Sequence, residues 1–274
     1  MNKVQSGDVA IHYRRLGRDR GLTPILVVHG LSYFSYDWLG VGETLGRERE
    51  VILMDMRGFG DSGWSPRREY SVPVMAQDIV AVLDHAGWRR AVLAGHSMGG
   101  RSAAYAAAKN PARAAALVLV DYTPENAPAG AKRTARVIAG IPERFRTVEE
   151  AMQYFGSQSR ARFEAYLKRV DGGFVLKRDP YFQEIFKSGQ RPALGVDMWE
   201  VLGEVQCPIL SMRGSRSDMY ARETVAKMKA ANAWVQVVEV DAGHNVAGEN
   251  PEGFLKKLQP FLSEADKTLE HARH

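Results

Sequence analysis

The chain has 274 residues, 45% of them hydrophobic and 25% charged, with a formal net charge of +5. That length and balance suit a globular chain with one large core or two smaller ones. No apolar run approaches the ~18 residues of a membrane span, and residues 1–8 lack the apolar stretch of a secretory signal. The one cysteine, Cys207, excludes an internal disulfide and a thiolate metal site, and suits a reducing cytoplasm.

In chain order, Val9-Ala10-Ile11-His12-Tyr13 reads as part of an antiparallel edge. Short apolar runs follow at 25–28, 51–54, 91–94, 117–120, 208–212 and 235–238. Their near-continuous apolarity predicts parallel strands covered on both faces. Helix-period stretches at 74–85, 98–109 and 224–231 alternate with them, which predicts a doubly wound α/β fold with a mostly parallel sheet.

Residues 122–202 break the alternation. They are polar, rich in Arg and of helical character, and too long for an ordinary connection. We expect residues 1–121 and 203–274 to form the core, with 122–202 as an inserted helical cap over the C-terminal edge of the sheet, where open α/β sheets bind ligands. Ala131 to Arg191 holds thirteen Lys/Arg against seven Asp/Glu and accounts for the whole net charge. Such a surplus is either a solvated helical face or an attractor of an anionic small substrate. No nucleic-acid motif accompanies it. The tail after Leu262, ending Glu270-His271-Ala272-Arg273-His274, reads as a frayed helix.

The chemistry centres on Gly95-His96-Ser97-Met98-Gly99-Gly100, set between a strand and an Ala-rich helix. A nucleophilic Ser97 on so sharp a turn needs residues without bulk two places before and after it, which Gly95 and Gly99 supply. The helix start then offers free N–H groups beside it. Of the seven histidines, His244 follows the last strand in a short Gly-containing loop and is the candidate general base. His96 and His29 read as structural. The backbone N–H groups of Leu31 and Met98 are the candidate oxyanion hole. Gly58-Phe59-Gly60-Asp61-Ser62-Gly63 matches a dinucleotide fingerprint, but Trp64-Ser65-Pro66 follows where a helix is needed, so no dinucleotide site is predicted. We expect no cofactor and no metal.

His29-Gly30, the 58–63 loop, the Ser97 motif and Gly243-His244, in that order, resemble the α/β-hydrolase superfamily over nearly the whole chain. Two aspartates compete to orient His244. The superfamily majority implies Asp218; Val120-Asp121-Tyr122-Thr123-Pro124 and Asp171-Gly172-Gly173-Phe174 resemble a branch of small esterases and amidases, which implies Asp121, with Ser217 assisting. Gly95 to Arg101 together with residues 121–124 also look similar to acetamidomethylene-succinate hydrolases. That implies a carboxylated substrate met by Arg101, with Ser217 and Tyr122 as further candidate substrate contacts.

Ser at position 97 departs from the Asp-nucleophile dehalogenases and epoxide hydrolases of this superfamily. Leu31-Ser32-Tyr33-Phe34 departs from the loops of many C–C bond hydrolases and of proline iminopeptidases. A small-molecule ester or amide hydrolase is the leading reading. C–C bond hydrolysis, perhydrolase or haloperoxidase-like chemistry, and a non-catalytic ligand receptor are the alternatives.

Overall fold

In the computed structural model, which describes residues 2–271, ten strands and eleven helices are assigned. Residues 272–274 of the tail lie outside the described residues. The chain opens with β1 (Asn2–Ser6), β2 (Val9–Leu16), β3 (Ile25–Val28), α1 (Leu39–Leu45), β4 (Val51–Met54), α2 (Val72–His85), β5 (Ala91–His96), α3 (Met98–Lys109) and β6 (Ala114–Val120). Then come α4 (Pro128–Gly140), α5 (Val148–Tyr154), α6 (Arg160–Tyr166), β7 (Leu167–Val170), β8 (Gly173–Leu176), α7 (Tyr181–Lys187) and α8 (Met198–Glu204). The chain closes with β9 (Ile209–Gly214), α9 (Arg222–Ala231), β10 (Val235–Val240), α10 (Val246–Glu249) and α11 (Pro251–His271).

Eight strands form one sheet in the order β1-β2-β4-β3-β5-β6-β9-β10. β1 and β2 make the antiparallel edge, β2 runs antiparallel to β4, and the remaining pairs are parallel. The period of two along each central strand sorts side chains onto two faces. Leu26, Val28, Leu93, Leu117 and Leu119 join α2, α3 and α8 in one core. Ile25, Val27, Val92, Val118 and Val120 join α1 and α11 in the other. With both faces covered, the central strands are buried end to end. β10 is the exception: as an edge strand it leaves Gln236 and Glu239 exposed.

The segment between β6 and β9 is not wholly helical, since β7 and β8 form a separate antiparallel hairpin. Strand Leu167–Val170 has two adjacent exposed basic residues, Lys168 and Arg169, at its centre, so it has no apolar run to stand out in sequence. The segment has a core of its own, in which Ile138, Ile141, Phe145, Phe163, Tyr166 and Leu176 pack with Phe34. No helix among the described residues is long and apolar enough to cross a membrane. At the C-terminus, α11 runs past Leu262 to His271.

Because the insertion's core side chains mainly meet one another, Phe163→Ala should remove about 3–5 kcal/mol from that core with little effect on the sheet. Hydrogen exchange should speed across α4 to α7 while the amides of β5 and β6 keep their protection.

Candidate active site

Ser97 stands between β5 and α3 with φ +51° and ψ −114°, a backbone conformation L-residues rarely adopt. The turn is sharp enough to press Gly95 and Gly99 against backbone. A Cβ on Gly95 would lie 2.4 Å from the Gly99 carbonyl oxygen, and one on Gly99 would lie 2.4 Å from that of His29. Close approach, and not positive φ, therefore accounts for glycine at both positions. The Ser97 N–H bonds the Val120 carbonyl at 3.0 Å, which ties the turn to the end of β6.

His244 lies in the loop after β10 and meets two partners. Its Nε2 accepts from the Ser97 hydroxyl at 3.1 Å, and its Nδ1–H donates to Asp121 Oδ2 at 2.6 Å. That pattern fixes the tautomer with the proton on Nδ1. Asp121, at the end of β6, also has positive φ, +44°. Its Oδ1 accepts the Gly214 N–H at 2.8 Å and its Oδ2 accepts the Ser217 hydroxyl at 2.5 Å. Ser97, His244 and Asp121 thus come from the ends of three different strands.

Asp218, the other candidate acid, makes no hydrogen bond to His244. Both its oxygens take Arg133, at 2.6 and 2.8 Å, and that guanidinium holds the Asp218 carboxyl below the usual carboxylate range. Two suggested substrate contacts are likewise displaced. The Ser217 hydroxyl is spent on Asp121, and Tyr122 is buried beneath α3, with its ring against Gly100. Neither lines the cavity, whereas Arg101 does.

That cavity, of about 830 Å³, has Ser97, His244, Leu31 and Met98 in its wall. Residues of the insertion, among them Arg133, Ile138 and Tyr166, line it as well. The N–H groups of Leu31 and Met98 have no acceptor in the turns and loops of the described residues.

His96 has a place that its sequence position beside Ser97 does not reveal. Burial pushes its pKa well below the ordinary value, so the ring stays neutral, and its Nε2–H donates to the His244 carbonyl at 2.9 Å. It holds the backbone of the candidate base without adding charge beside it. His29 is fully occupied: Nδ1–H donates to the Gly30 carbonyl, and Nε2 accepts the Met56 N–H.

His12, Asp55 and Asp61 bring ligand-type atoms within 4.8 Å of one another. The carboxylate oxygens are already engaged, while His12 Nε2 is buried without a partner among the described residues. Asp55 accepts from His12, from Ser35 N–H and from Asp61 N–H, and Asp61 pairs with Lys177 at 2.7 Å. These bonds tie the 55–61 loop to β2 and to Ser35.

Comparison with known proteins agrees with the fold. The sequence profile of the α/β hydrolase fold matches residues 23–154. The chain is 31% identical over 254 residues to a 3-hydroxybutyrate-oligomer hydrolase of Cupriavidus necator, covering 85% of this chain and 86% of that protein. It is 28% identical over 256 residues to a 2-(acetamidomethylene)succinate hydrolase of Mesorhizobium japonicum, covering 89% and 90%. The crystal structure of an E-2-(acetamidomethylene)succinate hydrolase superposes with a TM-score of 0.83 at 26% identity, over 96% of this chain and 98% of that one.

The tight turn makes its own prediction. Gly99→Ala drives a Cβ into the carbonyls of Val28 and His29, which as strand-end backbone cannot swing aside. It should destabilise the protein by about 1–3 kcal/mol, read as a lower denaturation midpoint at unchanged slope.

Proposed function

Because this chain belongs to the α/β-hydrolase family, we propose that it is a serine hydrolase that cleaves a small-molecule ester or amide through an acyl-enzyme intermediate. The observation that carries this reading is the pair of hydrogen bonds on His244, to Ser97 at 3.1 Å and to Asp121 at 2.6 Å.

In the first half-reaction His244 Nε2 takes the Ser97 proton as Oγ attacks the substrate carbonyl. The carbonyl oxygen becomes an oxyanion, and the N–H groups of Leu31 and Met98 receive it. Both are backbone donors fixed before the charge develops, so little reorganisation is needed in the transition state. His244 is then an imidazolium, and Asp121 stabilises it across the Nδ1–H bond. Asp121 remains a fixed acceptor because Gly214 N–H and the Ser217 hydroxyl hold its two oxygens. The neutral ring of His96 adds no repulsion. The imidazolium protonates the leaving alkoxide or amine, which departs. Water, deprotonated by His244, then attacks the acyl-Ser97 and releases the acid.

The relatives' names fit an ester or amide substrate: one acts on 3-hydroxybutyrate oligomers, the other on 2-(acetamidomethylene)succinate. In this reading residues 122–202 serve as a cap, since they close the cavity over Ser97 and set its shape. The described site contains no feature that favours perhydrolase chemistry or C–C cleavage over hydrolysis. A ligand receptor has no use for a hydroxyl aligned on an oriented imidazole.

Two experiments test the proposal. Ser97→Ala should abolish ester turnover, lowering it by about 10⁴-fold or more, with circular dichroism unchanged; activity within tenfold of the parent would exclude Ser97 as the nucleophile. Asp121→Asn should lower kcat by about 10³- to 10⁴-fold. Asp218→Asn should cost less than about tenfold, because its partner is a half-exposed arginine and the pair is mainly a surface one. The opposite ranking would transfer the orienting role to Asp218.

A further inference from the structure

The turn that carries Leu31 is strained, and the insertion holds it. Tyr33 N–H bonds the Gly30 carbonyl at 3.1 Å, which closes a tight turn over residues 30–33. A Cβ on Gly30 would lie 3.2 Å from Ser97 Cβ, so the turn rests against the nucleophile. Its third residue, Ser32, has φ +66°. That place in a turn favours glycine, and a serine stays there only where its surroundings over-determine it.

Tyr166 and Arg178 of the insertion supply that constraint. The Tyr166 hydroxyl donates to the Ser32 carbonyl at 3.0 Å, and Arg178 Nη1 donates to the Ser32 hydroxyl at 3.0 Å. Both donors are themselves held. The Tyr166 ring stacks on Phe34 with centroids 4.7 Å apart. The segment that carries Arg178 is laced by backbone bonds: Lys177 N–H to the Tyr166 carbonyl, Gly60 N–H to the Lys177 carbonyl, and Asp179 N–H to the Gly58 carbonyl. Arg178 is only 5% exposed, yet the bond it makes goes to a neutral hydroxyl and not to a carboxylate. Burying a guanidinium against a neutral group is unfavourable, so stability alone does not account for it there.

We propose, resting on the reading of Leu31 N–H as an oxyanion donor, that Tyr166 and Arg178 are positioning residues for the oxyanion hole. They lock Ser32 at positive φ and so fix the direction of the Leu31 N–H beside Ser97. Without them the Leu31–Ser32 peptide can rotate and return Ser32 to negative φ, and the turn that aims the donor is lost. The hole is then complete only while the insertion is docked on the sheet domain. Closure of the cavity and stabilisation of the oxyanion become one event. Met98 N–H, set by the start of α3, stands outside this control.

The test combines turnover of p-nitrophenyl acetate with inhibition by trifluoroacetone. Ser97 Oγ adds to the ketone carbon, its proton passes to His244, and the ketone oxygen becomes an anion in the hole. Tyr166→Phe keeps the ring stack and removes only the hydroxyl; Ser32→Ala removes the other bond. Each should lower kcat about tenfold with KM within about twofold of the parent, and raise the inhibition constant by the same factor as kcat falls. A merely structural role would shrink the active fraction and leave the inhibition constant unchanged. Ser32→Gly also lacks the hydroxyl but tolerates positive φ, so it should recover part of the loss. Arg178→Met should match Ser32→Ala, and the two combined should be no worse than either alone. Tyr166→Phe and Ser32→Ala keep the test sound if Arg178→Met folds poorly.

Lys177→Gln breaks the bond to Asp61 without touching the turn, and should leave both kcat and the inhibition constant within about twofold. Unchanged inhibition constants in Tyr166→Phe and Ser32→Ala, an equal rise in Lys177→Gln, or a Ser32→Gly as impaired as Ser32→Ala would each overturn the positioning role while leaving Ser97 as nucleophile. Fluorine NMR should show the ketone adduct in the parent and not in Ser97→Ala. An adduct in neither, or in both, would overturn the nucleophile and the positioning role with it.

Discussion

Beyond the C-terminal ends of the central strands, backbone bonding continues for one more step, and the site depends on that step. Ser97 N–H reaches the Val120 carbonyl, Asp121 N–H reaches the Met212 carbonyl at 2.7 Å, and Gly214 N–H reaches the Asp121 carboxylate. Each bond joins the tip of one strand to its neighbour, through β5, β6 and β9. Ser97 and Asp121 are both non-glycine residues at positive φ, each a cost of about 1–3 kcal/mol. The ladder over-determines their positions and so sustains that strain. Residues 123 and 147 places apart in the chain thereby meet within hydrogen-bond distance, without any one loop having to fold around the substrate.

The insertion is fastened to this edge by charge as well as by packing. Arg133 on α4 meets Asp218 beyond β9, Arg162 on α6 meets Asp37, and Lys177 meets Asp61. In each case the base belongs to the insertion and the acid to the sheet domain. The basic surplus of 131–191 is therefore not simply a solvated face. Part of it is matched across the boundary, and the part that is not matched includes Arg191 at the cavity. Arg162 also lies 5.3 Å from the Tyr166 and Phe163 ring centroids, so one side chain links the insertion's aromatic core to the acid at Asp37.

Much of this was legible in the sequence because strong local signals carried it. Six apolar runs marked the central strands, and Gly95 and Gly99 around Ser97 marked a turn that leaves no room for a Cβ. His244 followed from its place after the last strand. The choice between Asp121 and Asp218 was not legible, since both follow a strand and spacing treats them alike. The difference lies in Arg133, more than eighty residues from Asp218, and no local pattern announces that contact. Ser217 and Tyr122 adjoin the site in sequence, but one is turned onto Asp121 and the other beneath α3. Sequence adjacency does not specify side-chain direction at a bend. The β7–β8 hairpin escaped because its strands are four residues long and β7 carries two basic residues at its centre. The work of His96 escaped because it acts on a main-chain carbonyl that belongs to another loop.

The proposed chemistry rests on Ser97, His244 and Asp121 acting as one unit that forms and breaks an acyl bond. The most direct measurement is acid quenching during turnover of p-nitrophenyl acetate, followed by peptide mass analysis. The account predicts an acetyl group on the peptide that carries Ser97, with its appearance lost in His244→Ala. An acetyl group on the buried Cys207, or steady turnover with no acylated Ser97 at any quench time, would contradict it.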